Sequence, residues 1–392
     1  QPCSSAASDV YKRQFSTSPR QLHLARVLPA IAAERGEIRV KFGVFLPNGS
    51  NGYIPSAGSP IYEPTFQHNL AISLAAEKHG LDFVLSMMKF KGFGGETGYW
   101  DSCLESFTLM AGLASATSSI GLFPSISILS QHPAIVARMI ATIDDISRGR
   151  CGLNIVTGWN RPEYAQMGMW PGDDHYQHRY DFASEYVEIL QKLWQTGRAS
   201  WEGEYFTLDD CSVLPKPKRQ IPLVCAGQSP AGREFVARHA DHQFVLTSED
   251  NLVTSVEDIR LKAAETGREV GVYALFHMIL ADTDAMAEAQ VQHIIDSADQ
   301  GAISNILASA SLDTNTGGTA DQLMAALDQN VEQGNMAFMG IPVIYGSATT
   351  VGQRIEAIVK KTGIDGMLFS WPDFVAGIER FGLEVKPGLK VA

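Results

Sequence analysis

The sequence lacks the features of several protein classes. Its 392 residues include only five cysteines, and no two of them form a C-x-x-C pair, so neither a zinc site nor a dense disulfide framework is indicated. No apolar run is long enough to cross a bilayer. Positive charge is also scarce, because 31 Lys and Arg against 43 Asp and Glu give a net charge of −12. A nucleic-acid surface needs clustered cations, so we expect small-molecule partners rather than nucleic acid or membrane.

Several catalytic signatures are missing as well. The sequence has neither the G-x-S-x-G elbow of serine hydrolases nor a G-x-x-x-x-G-K-[ST] phosphate loop. The glycine cluster at residues 92–98 does not fit a dinucleotide fingerprint, because a threonine takes the third glycine position and no helix start follows. His175 with His178, and His239 with His242, have the spacing of helical ligand pairs but no accompanying acid or cysteine. We therefore expect no metal site.

The first 36 residues differ in composition from the rest of the chain. Between Lys12 and Ala33 there are four Lys or Arg residues, several Ser and Thr, and no acidic residue. This composition is typical of a transit peptide, and a start that does not belong to the folded protein is the alternative. We predict that residues 1–36 are a disordered leader outside the fold. The expected location is the cytoplasm, or the mitochondrial matrix if the leader is a genuine transit peptide.

From Ile38 onward, short apolar runs alternate with amphipathic helical stretches. This alternation is typical of βα units repeated around a parallel sheet, and strands apolar at nearly every position indicate a sheet covered on both faces. About eight strands are present, the number that a closed barrel needs. We therefore predict an α/β protein with a TIM (β/α)8 barrel over residues 37–392. The predicted strands are 40–45, 83–86, 120–126, 151–156, 223–225, 243–246, 272–280 and 366–370, and the predicted helices include 66–79, 104–117, 134–146, 178–194 and 349–361.

Two segments interrupt the βα alternation. Residues 201–208 alternate like a small hairpin, and residues 301–346 form a long stretch rich in Gly, Thr and Asn around one predicted helix, 320–333. A segment of that length between barrel elements is usually a lid or a disordered loop. We predict a single domain in which 301–346 is an inserted lid over the active-site mouth.

The region after the fourth predicted strand is dense in functional side chains. Asn154 lies within an apolar strand, where an amide without a hydrogen bond costs about 1–3 kcal/mol, so it needs a partner, either nearby backbone or a ligand. Glu163 adds an acceptor in the following loop, and Arg179 and Tyr180 follow in the next helix. Such a set suits a planar heterocycle with a phosphate tail.

Two further strand ends contribute candidate groups. Ser229 is a good N-cap with Pro230 at the first helical position, so the free amides of this helix start could bind a phosphate at the barrel mouth, although every helix has such a start. Met88 and Lys89 come just after the second strand, where a solvated lysine is the alternative to a ligand contact.

At the fourth strand the sequence NIVTGWNRPEYAQMGMWPGDDHYQHRY (154–180) resembles the signature of bacterial-luciferase-like flavin monooxygenases, and within them the pyrimidine (uracil) monooxygenase branch. Similar runs occur at 82–114, 132–150 and 224–229, so the resemblance extends from Val40 almost to the C-terminus. The resemblance implies a TIM barrel that binds reduced FMN non-covalently, receives it from a separate flavin reductase and uses O2 as co-substrate. A homo-oligomer is also expected.

The resemblance also implies roles for individual residues. Asn154 and Ser125 would take part in the chemistry, and the reaction would open the uracil or thymine ring to a ureidoacrylate-type product. The implied FMN contacts are Met88, Lys89, Asn154, Glu163, Arg179, Tyr180 and Ser229.

Three departures from the pyrimidine branch affect the substrate. Ser125 replaces a threonine, the pair Gln131 and His132 replaces Leu-Pro, and Tyr53 stands in place of a tryptophan. The reaction type is therefore better specified than the substrate, and the same flavin–oxygen chemistry on another heterocycle or an organosulfur compound is an alternative. A non-catalytic flavin-binding barrel is a second alternative, which the polar groups expected beside the ring disfavour.

Overall fold

The computed structural model describes residues 39–314, 317, 321 and 335–391. The predicted leader lies outside the described residues, and so does most of the predicted helix 320–333. Val40–Ala392 is one compact unit. Within the described residues, no helix is both long and apolar enough to span a membrane.

A parallel sheet curls into a nearly closed barrel. The barrel strands are β1 (Lys41–Leu46), β2 (Phe83–Ser86), β3 (Gly121–Phe123), β4 (Ser125–Ser127), β5 (Leu153–Val156), β8 (Leu223–Cys225), β9 (His242–Val245), β10 (Gly271–Leu280) and β12 (Gly366–Ser370), in the order β3-β2-β1-β12-β10-β9-β8-β5-β4. The remaining strands are β6 (Arg198–Glu202) and β7 (Thr207–Ser212), which form an antiparallel hairpin, and β11 (Val343–Gly346), which pairs with β10. The predicted TIM-barrel fold is confirmed.

The barrel closes at a proline. β3 and β4 are halves of one strand, separated only by Pro124, which has no N–H to donate to a sheet. β3 pairs with β2 and β4 pairs with β5. Leu122 also exchanges backbone hydrogen bonds with the chain leading into β5, donating to Arg150 O at 3.0 Å and accepting from Gly152 N at 2.9 Å. The interrupted strand therefore joins both ends of the sheet.

The inside of the barrel is filled with large side chains. The ring of Phe83 stacks on that of Tyr273 at 5.0 Å between centroids and meets Phe123 edge-on at 5.4 Å. Val224 and Leu368 complete this buried cluster. Neighbouring strand residues point outward into a second, larger core shared with the helices, as the period-2 geometry of strands requires. Because the interior is packed, a ligand has room only at the carboxyl ends of the strands.

Eleven α-helices are described, and most cover the outside of the barrel. They are α1 (Phe66–Lys78), α2 (Ser106–Ala116), α3 (Pro133–Ile146), α4 (Arg161–Ala165), α5 (His175–Thr196), α6 (Pro230–His239), α7 (Glu249–Glu265), α8 (Asp284–Asp296), α9 (Gln300–Ala310), α10 (Ala348–Thr362) and α11 (Phe374–Arg380). The five helices predicted by residue range correspond to α1, α2, α3, α5 and α10. The predicted hairpin is present but longer, because pairing extends to Arg198 and Ser212.

The predicted lid segment contains structure that the sequence did not indicate. Its first residues belong to α9, which Asp299 caps by accepting from Ala302 N and which buries Ile303 and Ile306. Its last residues form β11, after a 3-10 turn at Asn335–Phe338. Small polar residues around these apolar positions obscure both patterns. The lid role of 301–346 stays a prediction, since its middle lies outside the described residues.

Candidate active site

A cavity of about 310 Å³ opens at the carboxyl ends of the barrel strands. The loops after β1, β2, β5, β8 and β9 contribute to its wall, together with α5, α9 and the segment before β11. Seven of the eight residues predicted for the site line it: Met88, Lys89, Ser125, Asn154, Glu163, Arg179 and Tyr180. The fold therefore gathers side chains that are far apart in the sequence.

Asn154 is held by a side chain from the neighbouring strand. Its Nδ2 donates to Ser125 Oγ at 2.7 Å, and the Ser125 hydroxyl donates in turn to the backbone oxygen of Ser86. This chain fixes the orientation of the carboxamide, because the hydroxyl proton is already engaged and Ser125 can only accept from Asn154. Asn154 Oδ1 is buried and has no partner among the described residues. The hydrogen-bond partner that Asn154 requires is thus the side chain of Ser125, and Asn154 Oδ1 remains available to a ligand.

A buried ion pair forms a second part of the wall. Lys89 contacts Glu163, and both side chains are 5% exposed. Asn160 Nδ2 donates to the same Oε1 of Glu163 at 2.9 Å. The ammonium of Lys89 also lies 4.1 Å from the ring centroid of Phe93. Burial lowers the pKa of Lys89, while the charge of Glu163 opposes this shift. Asn160 was not predicted, since an asparagine before a helix reads as an ordinary cap.

Arg179 forms a third polar group. Its Nη1 donates to Asp313 Oδ2 at 3.0 Å, and both side chains are almost completely buried. Asp313 follows α9 and was not predicted. Arg179 Nε is buried without a partner among the described residues. The ring of Tyr180 lies 5.3 Å from the guanidinium carbon of Arg179. The guanidinium therefore keeps a donor for a second anion beside Asp313.

Ser229 behaves as the predicted N-cap but does not border the cavity. Its Oγ accepts from Gly232 N at 3.1 Å at the start of α6, with Pro230 at the first helical position. Ser229 is buried, and Gly317 lies against it and against Pro230. Gly232 packs directly beneath the hydroxyl of Tyr180, where a Cβ would meet Tyr180 Oη at 2.6 Å. This helix start is thus adjacent to Tyr180, which does line the cavity.

Another part of the wall is aromatic, and of its residues only Tyr53 was singled out from the sequence. Tyr53 stacks on Phe45 at 4.2 Å between centroids and donates its hydroxyl to Leu46 O at 2.6 Å. Trp100 adopts a positive φ of 60° and donates Nε1 to Gly52 O at 2.6 Å. The glycine cluster 92–98 supplies the turns that bring Phe93 and Trp100 into the wall. In the sequence, the composition of that loop, in which aromatic residues flank glycines, was the available indication that Phe93 and Trp100 line the cavity.

Gln131 and His132, two of the departures noted in the sequence, do not border the cavity, and neither does Trp170. His132 does not line the cavity, and its Nδ1 accepts from Ala134 N as the cap of α3; Gln131 is not in the wall either. Trp170 packs on His175 and Tyr176 outside the cavity. Gln131 and His132 therefore have no direct contact with the described cavity through which they would affect the substrate.

His175 secures the loop that carries Glu163. Its Nε2 donates to Thr157 O at 2.9 Å and lies 3.1 Å from Gly158 O, and burial lowers its pKa, which favours the neutral ring. His178 is exposed on the next turn. In the described part of the chain, no three His, Cys, Asp or Glu residues are grouped to hold a metal ion.

Comparisons with known proteins agree with this geometry. Residues 40–366 match the family model of luciferase-like monooxygenases. The chain is 44% identical over 352 residues to the pyrimidine monooxygenase RutA of Methylorubrum extorquens strain AM1, covering 89% of this chain and 95% of that protein. It is 45% identical to the protein of the same name from Acinetobacter baylyi strain ADP1, covering 89% and 94%. The fold is similar to the crystal structure of riboflavin lyase RcaE, solved with modified FMN and riboflavin, with a TM-score of 0.77, 22% identity, and coverage of 89% and 91%.

Proposed function

This chain belongs to the luciferase-like monooxygenase family, and we propose that it is a two-component enzyme that uses reduced FMN and O2 to open the ring of uracil or thymine to a ureidoacrylate-type product. A separate flavin reductase would supply the reduced FMN. The observation that carries the proposal is a cavity lined both by aromatic rings and by the buried, oriented polar groups of Asn154, Lys89 and Glu163. A flat heterocycle with polar edges suits such a cavity. The names of the relatives at 44–45% identity support the pyrimidine as substrate.

The buried polar atoms of the cavity suit FMN. Arg179 Nε, a donor, and Asn154 Oδ1, an acceptor, are buried without partners among the described residues, and a ligand with a phosphate and a ring N–H satisfies both. Arg179 and Tyr180, which line the cavity, would hold the phosphate, and the capped start of α6 at Ser229, adjacent to Tyr180, would add its field. Asn154 and Met88 would face the ring. FMN, once bound and reduced, supplies the reaction with O2.

The chain's own residues position the reactants and exclude water. Ser125 and the backbone of Ser86 hold the carboxamide of Asn154 in one orientation, so its free oxygen needs no reorganisation when a ligand arrives. The pair of Lys89 and Glu163 offers a charged edge for hydrogen bonds to a polar ring. The rings of Phe93 and Trp100 keep this edge out of bulk water, which strengthens its electrostatic interactions.

Turnover of uracil tests the proposal directly. The purified protein is incubated with FMN, a flavin reductase, NADH and uracil, and the ring-opened product is measured by mass spectrometry against NADH consumption. We expect product formation coupled to NADH use. Consumption of NADH to hydrogen peroxide with uracil intact would reject uracil as substrate, and a panel of other heterocycles and organosulfur compounds would then identify the alternative.

Asn154→Ala tests the role of the cavity amide in the same assay. We expect product to fall at least a hundredfold, while FMN affinity changes less than tenfold, because the variant keeps Arg179 and the α6 start. Gln292→Ala, which removes an exposed amide on α8 outside the cavity, is the control and should leave product yield unchanged. An unchanged product yield in Asn154→Ala would contradict the role of Asn154.

A further inference from the structure

We propose that Asn160 is a specificity-determining residue whose carboxamide oxygen accepts a hydrogen bond from a ring N–H of the substrate. This inference rests on the proposed function and deepens it, because it states which feature of the heterocycle is recognised. The residue lines the cavity and is 4% exposed.

The orientation of the Asn160 side chain is fixed by its neighbour. Nδ2 donates to Glu163 Oε1 at 2.9 Å. A carboxylate only accepts hydrogen bonds, so the NH2 end must face Glu163 and the oxygen must point away from it. That oxygen, Oδ1, is buried and has no partner among the described residues. An acceptor left in this state costs roughly 1–3 kcal/mol, which a donor on a ligand would recover.

Asn160 does not use its oxygen for the local role that its position offers. It immediately precedes α4, where an asparagine usually accepts from an amide of the first turn and stabilises the helix by about 1 kcal/mol. No side-chain cap bond forms here, and the amide of Glu163 bonds instead to the backbone oxygen of Asn160 at 3.0 Å. The side chain is therefore turned into the cavity at the expense of the cap.

The position of Asn160 separates it from the proposed phosphate site. A second, more open cavity of about 690 Å³ shares Asn160 and Phe93 with the first. Arg179 and Tyr180 line only the first cavity. Asn160 therefore lies where the two cavities adjoin, and the ligand group assigned to its oxygen is the substrate rather than the phosphate end of FMN.

A buried acceptor selects for N–H and against N-alkyl groups. A methyl group at the recognised nitrogen leaves Oδ1 without a donor and also needs space, so discrimination of roughly ten- to hundredfold is expected. Uracil has two ring N–H groups, and 1-methyluracil and 3-methyluracil each block one. Asn160 thus accounts for recognition of one edge of the ring.

The experiment compares uracil, 1-methyluracil and 3-methyluracil in the wild type and in Asn160→Leu, which keeps the side-chain volume and removes the acceptor. Binding of each compound to the FMN-loaded protein is measured by calorimetry, kcat/KM by turnover, and FMN affinity by fluorescence titration. We expect the wild type to prefer uracil over one methyl derivative by roughly ten- to hundredfold. Asn160→Leu should reduce that preference to within about threefold, because it weakens the binding of uracil. FMN affinity should stay within about twofold. Asn160→Ser, which is too short to reach the ring, should give the same result if Asn160→Leu does not fold.

Gln292→Leu is the matched control, because Gln292 carries an exposed amide on α8 and lines neither cavity, and it should keep the wild-type selectivity. A preference for uracil that survives in the Asn160 variants, or is absent from the wild type, overturns the inference, and so does a loss of FMN affinity, which would make Asn160 a cofactor contact. A wild type that neither binds nor oxidises uracil rejects the proposed function itself. If uracil is oxidised but the variants keep the wild-type selectivity, only the role of Asn160 is rejected and the proposed function stands.

Discussion

Replacing Asp313 by asparagine should increase the affinity for FMN and lower the free energy of unfolding of the FMN-free protein. Asp313 occupies one side of the Arg179 guanidinium, and the proposed FMN phosphate would approach the same guanidinium. In Asp313→Asn the negative charge that repels the phosphate is gone, while Arg179 keeps an acceptor. We expect FMN to bind roughly ten- to hundredfold more tightly, which corresponds to about 1.4–2.8 kcal/mol.

The stability of the FMN-free variant should change in the opposite direction. Removing one partner of a buried pair leaves an uncompensated charge and costs roughly 3–5 kcal/mol, and the lower end applies here because asparagine still accepts a hydrogen bond. FMN restores the charge balance, so it should raise the melting temperature of Asp313→Asn by more than it raises that of the wild type.

Fluorescence titration of FMN and thermal unfolding with and without FMN measure both effects. The control is Asp173→Asn, which breaks the exposed pair of Arg161 and Asp173 at 3.1 Å and should change stability by about 1 kcal/mol or less. Arg179→Ala should weaken FMN binding. If Asp313→Asn bound FMN no more tightly than the wild type, the phosphate would not lie beside Arg179, and the reasoning would fail.

The remaining predictions concern stability. Burial lowers the pKa of His277 to about 3, below the value near 6.5 of an unfolded histidine, so its contribution is fully present above pH 6.5 and is lost as the pH falls. The loss of unfolding free energy between pH 7 and pH 4.5, measured by urea titration, should therefore be smaller by roughly 2–3 kcal/mol in His277→Leu; equal losses would contradict this. Gly232→Ala places a Cβ 2.6 Å from the Tyr180 hydroxyl and should destabilise the protein by about 1–3 kcal/mol and weaken FMN binding. Gly352→Ala, in the middle of α10 with no described neighbour nearer than 3.8 Å, should instead stabilise by about 0.5–1 kcal/mol, and thermal unfolding of both variants distinguishes them.

Local sequence patterns specified the barrel but only part of its cavity. The strands of a parallel sheet are apolar on both faces, so runs such as 83–86 and 366–370 are visible in the sequence and agree with β2 and β12. Asn154 could be identified because a polar residue interrupts such a run. Trp100 could not, and Tyr53 was noted only through the family resemblance, because their place in the wall depends on loop geometry that has no periodic pattern.

Asp313 and Asn160 illustrate a second limit of the sequence. Asp313 reaches Arg179 across more than a hundred positions, and nothing near either residue signals the pairing. Asn160 is an unremarkable residue before a proline-containing helix, and its importance rests on a hydrogen bond that it does not make. Absent bonds of this kind are visible only once the surrounding atoms are known.

The pairing of β1 with β12 also governs when the site can form. Lys41 pairs with Gly366, so the first and last barrel strands meet only after nearly the whole chain has been synthesised. Pairings between such distant segments are slow to form during folding. The cavity takes residues from Phe45 through to Ile341, so it cannot be complete until Ile341 has been synthesised. The proposed flavin could bind only after that point.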